Sequence, residues 1–145
     1  MPLRLLIIPF LCGFIAQLIK LLLRAIRERD FSLRWLDDYG GMPSAHSAFI
    51  SALGTTVALA EGLNSIIFAV VFIIGAIMIR DALGLRMYIE RQGKILRSLT
   101  QKIPGATKFI PKNTNLGERV GHTYPEAIVG FCLGIILAFT LYQFF

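Results

Sequence analysis

The chain has 145 residues, of which 55% are hydrophobic and 17% charged, and its formal net charge is +6. Average soluble domains are roughly 25% charged, and a core built from so short a chain would leave large apolar patches in water. With a mean hydropathy of +0.66, the composition excludes a disordered chain, a fibrous chain and an ordinary soluble enzyme, and it points to a membrane protein.

The first apolar run covers residues 5–23, close to the roughly 20 residues that a helix needs to cross a bilayer. Arg4 precedes it, but no small-residue cleavage site follows, and Gln17 and Lys20 lead into a basic stretch. It therefore reads as a span and not as a removable signal. Residues 47–63 and 65–79 form two shorter runs around the turn-like Glu61, Gly62, Leu63 and Asn64, which predicts a helical hairpin. The earlier of the two is rich in Ala, Gly, Ser and Thr. Ser47, Ser51 and Thr55, at four-residue steps, let backbones approach closely, so this helix is expected inside the bundle.

Residues 85–103 change character. Leu85, Ile89, Leu96, Leu99 and Ile103 recur at three, four or seven, with Arg86, Glu90, Arg91, Lys94, Arg97 and Lys102 on the other faces. This pattern fits an amphipathic helix at headgroup level, or else a solvated continuation of the preceding span. Residues 104–118, with two Pro and two Gly, read as a mobile loop. The last run, 127–145, is again long enough to cross, and Gly130 and Gly134 give it a small-residue face. Cys12 and Cys132 each fall inside an apolar run and read as packed thiols, neither a disulfide nor a metal pair.

Residues 20–46 and 80–122 hold every Lys and Arg except Arg4. With about four spans these segments share one side, which the positive-inside rule makes cytoplasmic, leaving the N- and C-termini on the opposite side. No domain boundary or repeat is evident. The expectation is one all-α domain, residues 1–145, a polytopic membrane helix bundle of about four transmembrane helices with a cytoplasmic amphipathic helix and loop.

The chain has only two histidines, and each stands at the mouth of an apolar helix: His46 after Pro43, Ser44 and Ala45, and His122 before Thr123, Tyr124, Pro125 and Glu126. Helix N-termini carry unpaired N–H groups and a partial positive charge, which favour an anion such as phosphate. Lys20, Arg24 and Arg27 approach the same side from the end of the first helix. Plainer readings stand beside this one. Thr123 with Glu126 makes T-x-x-E, a capping box with Pro125 inside the helix; Ser44 serves as an N-cap; Lys20 snorkels to the interface.

Lys20 to Arg27 resembles the first half of the K-x-x-x-x-x-x-R-P signature of the type 2 phosphatidic acid phosphatase superfamily, which includes the vanadium-dependent haloperoxidases, with Glu28 replacing the proline. Pro43, Ser44, Ala45 and His46 resemble its P-S-G-H motif with Ala for Gly, and His122 with Glu126 resembles its H-x-x-x-D with Glu for Asp. More specifically, GGMPSAHSA, RDALGLR followed by Gln92, and GHTYPEAIVG are similar to a divergent branch of small membrane proteins in that superfamily. One departure stands out. The superfamily's third motif has an Arg six residues before its histidine, and here that position is Leu116, so Arg86 or Arg119 would supply the charge, Arg86 being favoured.

The resemblance implies metal-independent dephosphorylation of a lipid phosphate. His122 would attack phosphorus to form a phosphohistidine, Glu126 would accept the other ring N–H, and His46 would protonate the leaving alcohol. Lys20, Arg27, Ser44, Arg86 and Arg119 would hold the phosphate, with Asp81 and Gln92 in support. Phosphatidate, phosphatidylglycerophosphate and polyprenyl phosphates or diphosphates all suit a pocket at headgroup depth. No metal or other cofactor and no nucleic-acid partner is expected, and the small-residue faces are compatible with a homo-oligomer. The alternative is a lipid-phosphate binding or transport protein without turnover.

Overall fold

A computed structural model describes residues 2–28, 41–105, 108 and 123–145. His122, Arg119 and most of the 104–118 loop lie outside the described residues, as does the side chain of Arg86. The described residues form five helices and no strand: α1 (Pro2–Glu28), α2 (Ala45–Glu61), α3 (Ile66–Leu83), α4 (Leu85–Lys102) and α5 (Tyr124–Phe144).

The helix ends follow local chemistry. Helix α1 outruns its apolar stretch to Glu28, because Arg24, Ala25, Arg27 and Glu28 are good helix formers. At α2, Ser44 is the N-cap and its hydroxyl accepts from the Ser47 N–H at 3.3 Å. Gly62, at φ +85°, ends that helix, and Ser65 then caps α3 by accepting from the Phe68 N–H at 3.1 Å. The expected hairpin is therefore present. Helix α5 starts at Tyr124, three residues before its apolar run, because the capping box of Thr123 and Glu126 and a proline in the first turn extend it. Between α3 and α4 only Gly84 intervenes.

Helix α2 is central and packs on α1, α5 and α3. Lipid tails are as apolar as leucine, so contact between spans rests on close fit. A Cβ built on Gly130 would overlap the Ser44 carbonyl oxygen, and one on Gly134 would overlap Ser51 Oγ and the Ala48 carbonyl oxygen. The main chains of α2 and α5 are thus nearly in contact. Ile8, Cys12, Ala52 and Ala138 form the buried core between α1, α2 and α5. Phe10 of α1 packs edge-on against Phe49 of α2 at 5.2 Å between ring centroids. Arg4, near the start of α1, lies over the ring of Tyr142, near the end of α5, at 5.7 Å, so these helices run antiparallel.

Three helical stretches, Leu3–Arg27, Ile66–Lys102 and Tyr124–Phe144, are long and apolar enough to cross a membrane. They expose large apolar side chains such as Leu6, Phe14, Ile66, Phe72 and Phe144, as lipid-facing surfaces do. The chain is an integral, multi-pass membrane protein. Helix α2, at 17 residues, is shorter. Helix α4 touches α3 and no other described helix, leaving Ile89, Leu96, Leu99 and Ile103 exposed.

Candidate functional site

At the basic end of the bundle the start of α2 borders three other elements separately: the last turns of α1 by way of Gly41, the start of α5 by way of Ser44, and the close of α3 by way of the cavity that His46 lines. Lys20 of α1 is 7% exposed, and its aliphatic stem lies along the loop that leads into α2. A Cβ on Gly41 would sit 3.3 Å from Lys20 Cδ, and Gly41 has φ +98°, a conformation that costs a side-chain-bearing residue 1 kcal/mol or more, roughly. Glycine at this position lets the loop lie against the lysine. Pro43, after a cis peptide bond, delivers the chain to Ser44.

Ser44 is fully buried, and its N–H donates to the Glu126 carbonyl oxygen at 3.1 Å. This main-chain bond ties the start of α2 to the first turn of α5. The Ser44 hydroxyl accepts from the Ser47 N–H at 3.3 Å and the Ser47 hydroxyl at 3.2 Å, so the capping role is realised. Glu126 is 6% exposed, and its Oε2 accepts the Thr123 N–H at 3.0 Å, the capping-box geometry. The two helix starts are thus tied together, with the N–H groups of Ser44, Ser47, Thr123 and Glu126 satisfied by this joint and by the two caps.

His46 faces elsewhere. It is exposed in the first turn of α2 and lines a cavity of about 590 Å³ together with Arg80, Asp81, Gly84 and Tyr88. Lys20, Ser44 and Glu126 are not part of that lining. Two helical positions are about 200° of rotation, so Ser44 turns towards α5 while His46 turns towards the junction of α3 and α4. Of the residues singled out in the sequence, the structure joins Ser44 to Glu126, puts Lys20 against Gly41 three residues before Ser44, and puts His46 with Asp81. Arg27 lies exposed on the same face of α1 two turns after Lys20, and Gln92 is exposed on α4, outside the cavity.

Arg80 and Tyr88 line the His46 cavity and were not singled out in the sequence. Arg80 closes the apolar run of α3, a position that reads as an ordinary span boundary, although it opens the RDALGLR run. Among the described residues, no group of three or more His, Cys, Asp or Glu side chains is arranged to hold a metal ion.

These features define a small all-α integral membrane protein in which two helix starts are tied together at the basic end. The chain belongs to the Divergent PAP2 family, whose model matches residues 2–137. It is 35% identical over 139 residues to a protein of Bacillus subtilis (strain 168) named as the uncharacterized membrane protein YuiD, a match covering 90% of this chain and 88% of that one. No solved structure matches the chain.

Proposed function

We propose that the protein removes phosphate from a lipid phosphate at the cytoplasmic membrane face, without a metal, through a phosphohistidine on His122. The observation that carries this reading is the junction of the α2 and α5 starts beside buried Lys20, closed by the 3.1 Å bond from Ser44 to Glu126. His122 directly precedes Thr123, the cap of α5, so it stands at that junction in the chain. Helix α2 crosses as a fourth span, the basic end faces the cytoplasm, and α4 lies at headgroup level with its lysines and arginines against anionic lipid.

The chemistry divides among these residues. A ring nitrogen of His122 bonds to phosphorus as the phosphorus–oxygen bond to the lipid alcohol breaks. His46 donates a proton to the departing oxygen, which leaves into the cavity that His46 lines. Glu126 holds the other ring N–H of His122 and stabilises the developing imidazolium. Lys20 and Arg27 lie on the equatorial oxygens, and Arg80 adds a cation from the His46 cavity. Water then attacks phosphorus as its bond to the His122 nitrogen breaks, His46 taking the water's proton and inorganic phosphate leaving.

The test is release of inorganic phosphate from phosphatidate, phosphatidylglycerophosphate and a polyprenyl diphosphate in detergent, with chelator present. His122→Ala should reduce turnover to background and His46→Ala should slow it by about 10²–10⁴. Undiminished turnover in a folded His122→Ala protein rules out the nucleophile. Leu116 in the position of the superfamily's third-motif arginine favours a second reading, a lipid-phosphate carrier without turnover. Headgroup binding with no phosphate release from any of these lipids would establish that reading instead.

A further inference from the structure

We infer that the open groove between α3 and α5, floored by α2, holds the hydrocarbon chain of a membrane lipid whose phosphate lies at the His46 end. The groove encloses about 640 Å³, and no charged side chain lines it among the described residues. Its floor is Ser51, Gly54, Thr55 and Ala58, and its walls carry Phe72 of α3 and Phe139 of α5. Both floor hydroxyls already donate to main-chain carbonyls, Ser51 Oγ to Ala48 at 3.2 Å and Thr55 Oγ1 to Ser51 at 2.8 Å. Every donor in the floor is therefore spent within α2, and the groove suits an apolar occupant with no hydrogen-bonding needs.

Its ends decide which occupant. At the basic end, Ile50 and Ile79 line both this groove and the cavity of His46, Arg80 and Asp81, so the apolar and charged spaces adjoin. At the other end it closes at Leu63 and Phe68, by the α2–α3 turn. From Ile50 to Leu63 the groove runs about 20 Å, enough for the hydrocarbon of one leaflet, which is about half of a ~30 Å core. An aliphatic space of that length, with a chamber of His46, Arg80 and Asp81 at one end, matches one chain of a lipid whose polar head hydrogen-bonds to those side chains. A helix from a second copy would fill the groove but leave the charged chamber unexplained.

The polar end of this inference rests on the phosphatase reading, whereas the apolar end is testable without turnover. Gly54 provides the tool, because a Cβ built there meets nothing within 4 Å and points into open space. Gly54→Phe and Gly54→Leu should therefore fill the groove without displacing backbone. The probe is phosphatidate with a diazirine on its palmitoyl chain, photolysed with the full-length protein in nanodiscs and mapped by mass spectrometry. The expected result is label concentrated on the groove walls, around Phe72 and Phe139, reduced at least tenfold in Gly54→Leu or Gly54→Phe protein that stays monodisperse. Those variants should also hydrolyse a water-soluble short-chain phosphate as wild type does while losing the long-chain lipid. If wild type releases no phosphate from any substrate but the groove labelling is seen and blocked, the phosphatase reading fails and the groove stands. Label spread evenly over the outer face of α1, or unchanged in both variants, overturns the groove. So does a wild-type dimer that Gly54→Leu converts to monomer while the label lies elsewhere.

Discussion

Towards α5, helix α2 turns Ser44, Ala48 and Ser51 against Gly130 and Gly134, and the two main chains come within touching distance. Towards α3 it presents side chains of the same small kind, Gly54, Thr55 and Ala58, yet there the neighbours stand away and a groove remains. The partner makes the difference. Glycines on α5 let its backbone close on α2, whereas on the α3 side Phe68 and Phe72 line the open space, and α3 comes in tightly at Gly75, where an added Cβ would lie 2.8 Å from Ile50 Cγ2. A run of small residues thus encodes either a seam or a space, depending on what faces it.

The contrast is broken most severely at the seam's own acid. Glu126→Gln keeps the capping hydrogen bond in reach, since Gln also serves in a capping box, so stability should change by about 1 kcal/mol or less. If Glu126 also orients His122, phosphate release should fall by about 10²-fold or more in the folded variant. Full activity there would leave Glu126 as a cap alone.

Next in size is the seam's packing. Gly130→Ala drives a methyl group into the Ser44 carbonyl, with an expected loss of about 1–3 kcal/mol, read as a lowered Tm in detergent. An unchanged Tm would show that the seam yields easily. On the open side, Arg80→Ala removes a cation from the His46 cavity and should raise KM for a lipid phosphate about tenfold, the worth of one charge-assisted hydrogen bond. An unaltered KM would take Arg80 out of the site.

The smallest expected change sharpens the comparison best. Gly54→Ala is the same chemical substitution as Gly130→Ala, but its methyl enters open space within a helix, so it should raise stability by about 0.5–1 kcal/mol. Opposite signs for these two glycines in one thermal series would confirm seam against space. Equal losses would refute it.

Much of the fold is legible because spans are long apolar runs with charged ends: α1, α3 and α5 sit on those runs, and the small-residue pattern at Ser47 and Ser51 put α2 inside. The boundaries were less legible. Residues 24–28, with three charges among five, and residues 124–126, in the capped first turn of α5, are taken into helices for local reasons that hydropathy does not register. The α4 helix is visible in its periodicity, but its first turn's share in the His46 cavity, through Tyr88, depends on where α3 ends. At the site, Ser44 and Glu126 could be named from their motifs. The placement of Lys20 along Gly41, the turn of His46 away from Ser44, and the entry of Arg80 could not, because each arises from how separate helices meet.

The bond between Ser44 and Glu126 has a further consequence. It joins an amide hydrogen to a carbonyl oxygen, atoms that every residue but proline supplies at the donor end and every residue supplies at the acceptor end. Replacing either side chain leaves this joint standing, so the two motifs can exchange residues, such as Ala45 for glycine or Glu126 for aspartate, without the helix starts drifting apart. The chemistry written in the side chains can diverge while the alignment of the two dipoles is inherited from the peptide backbone itself.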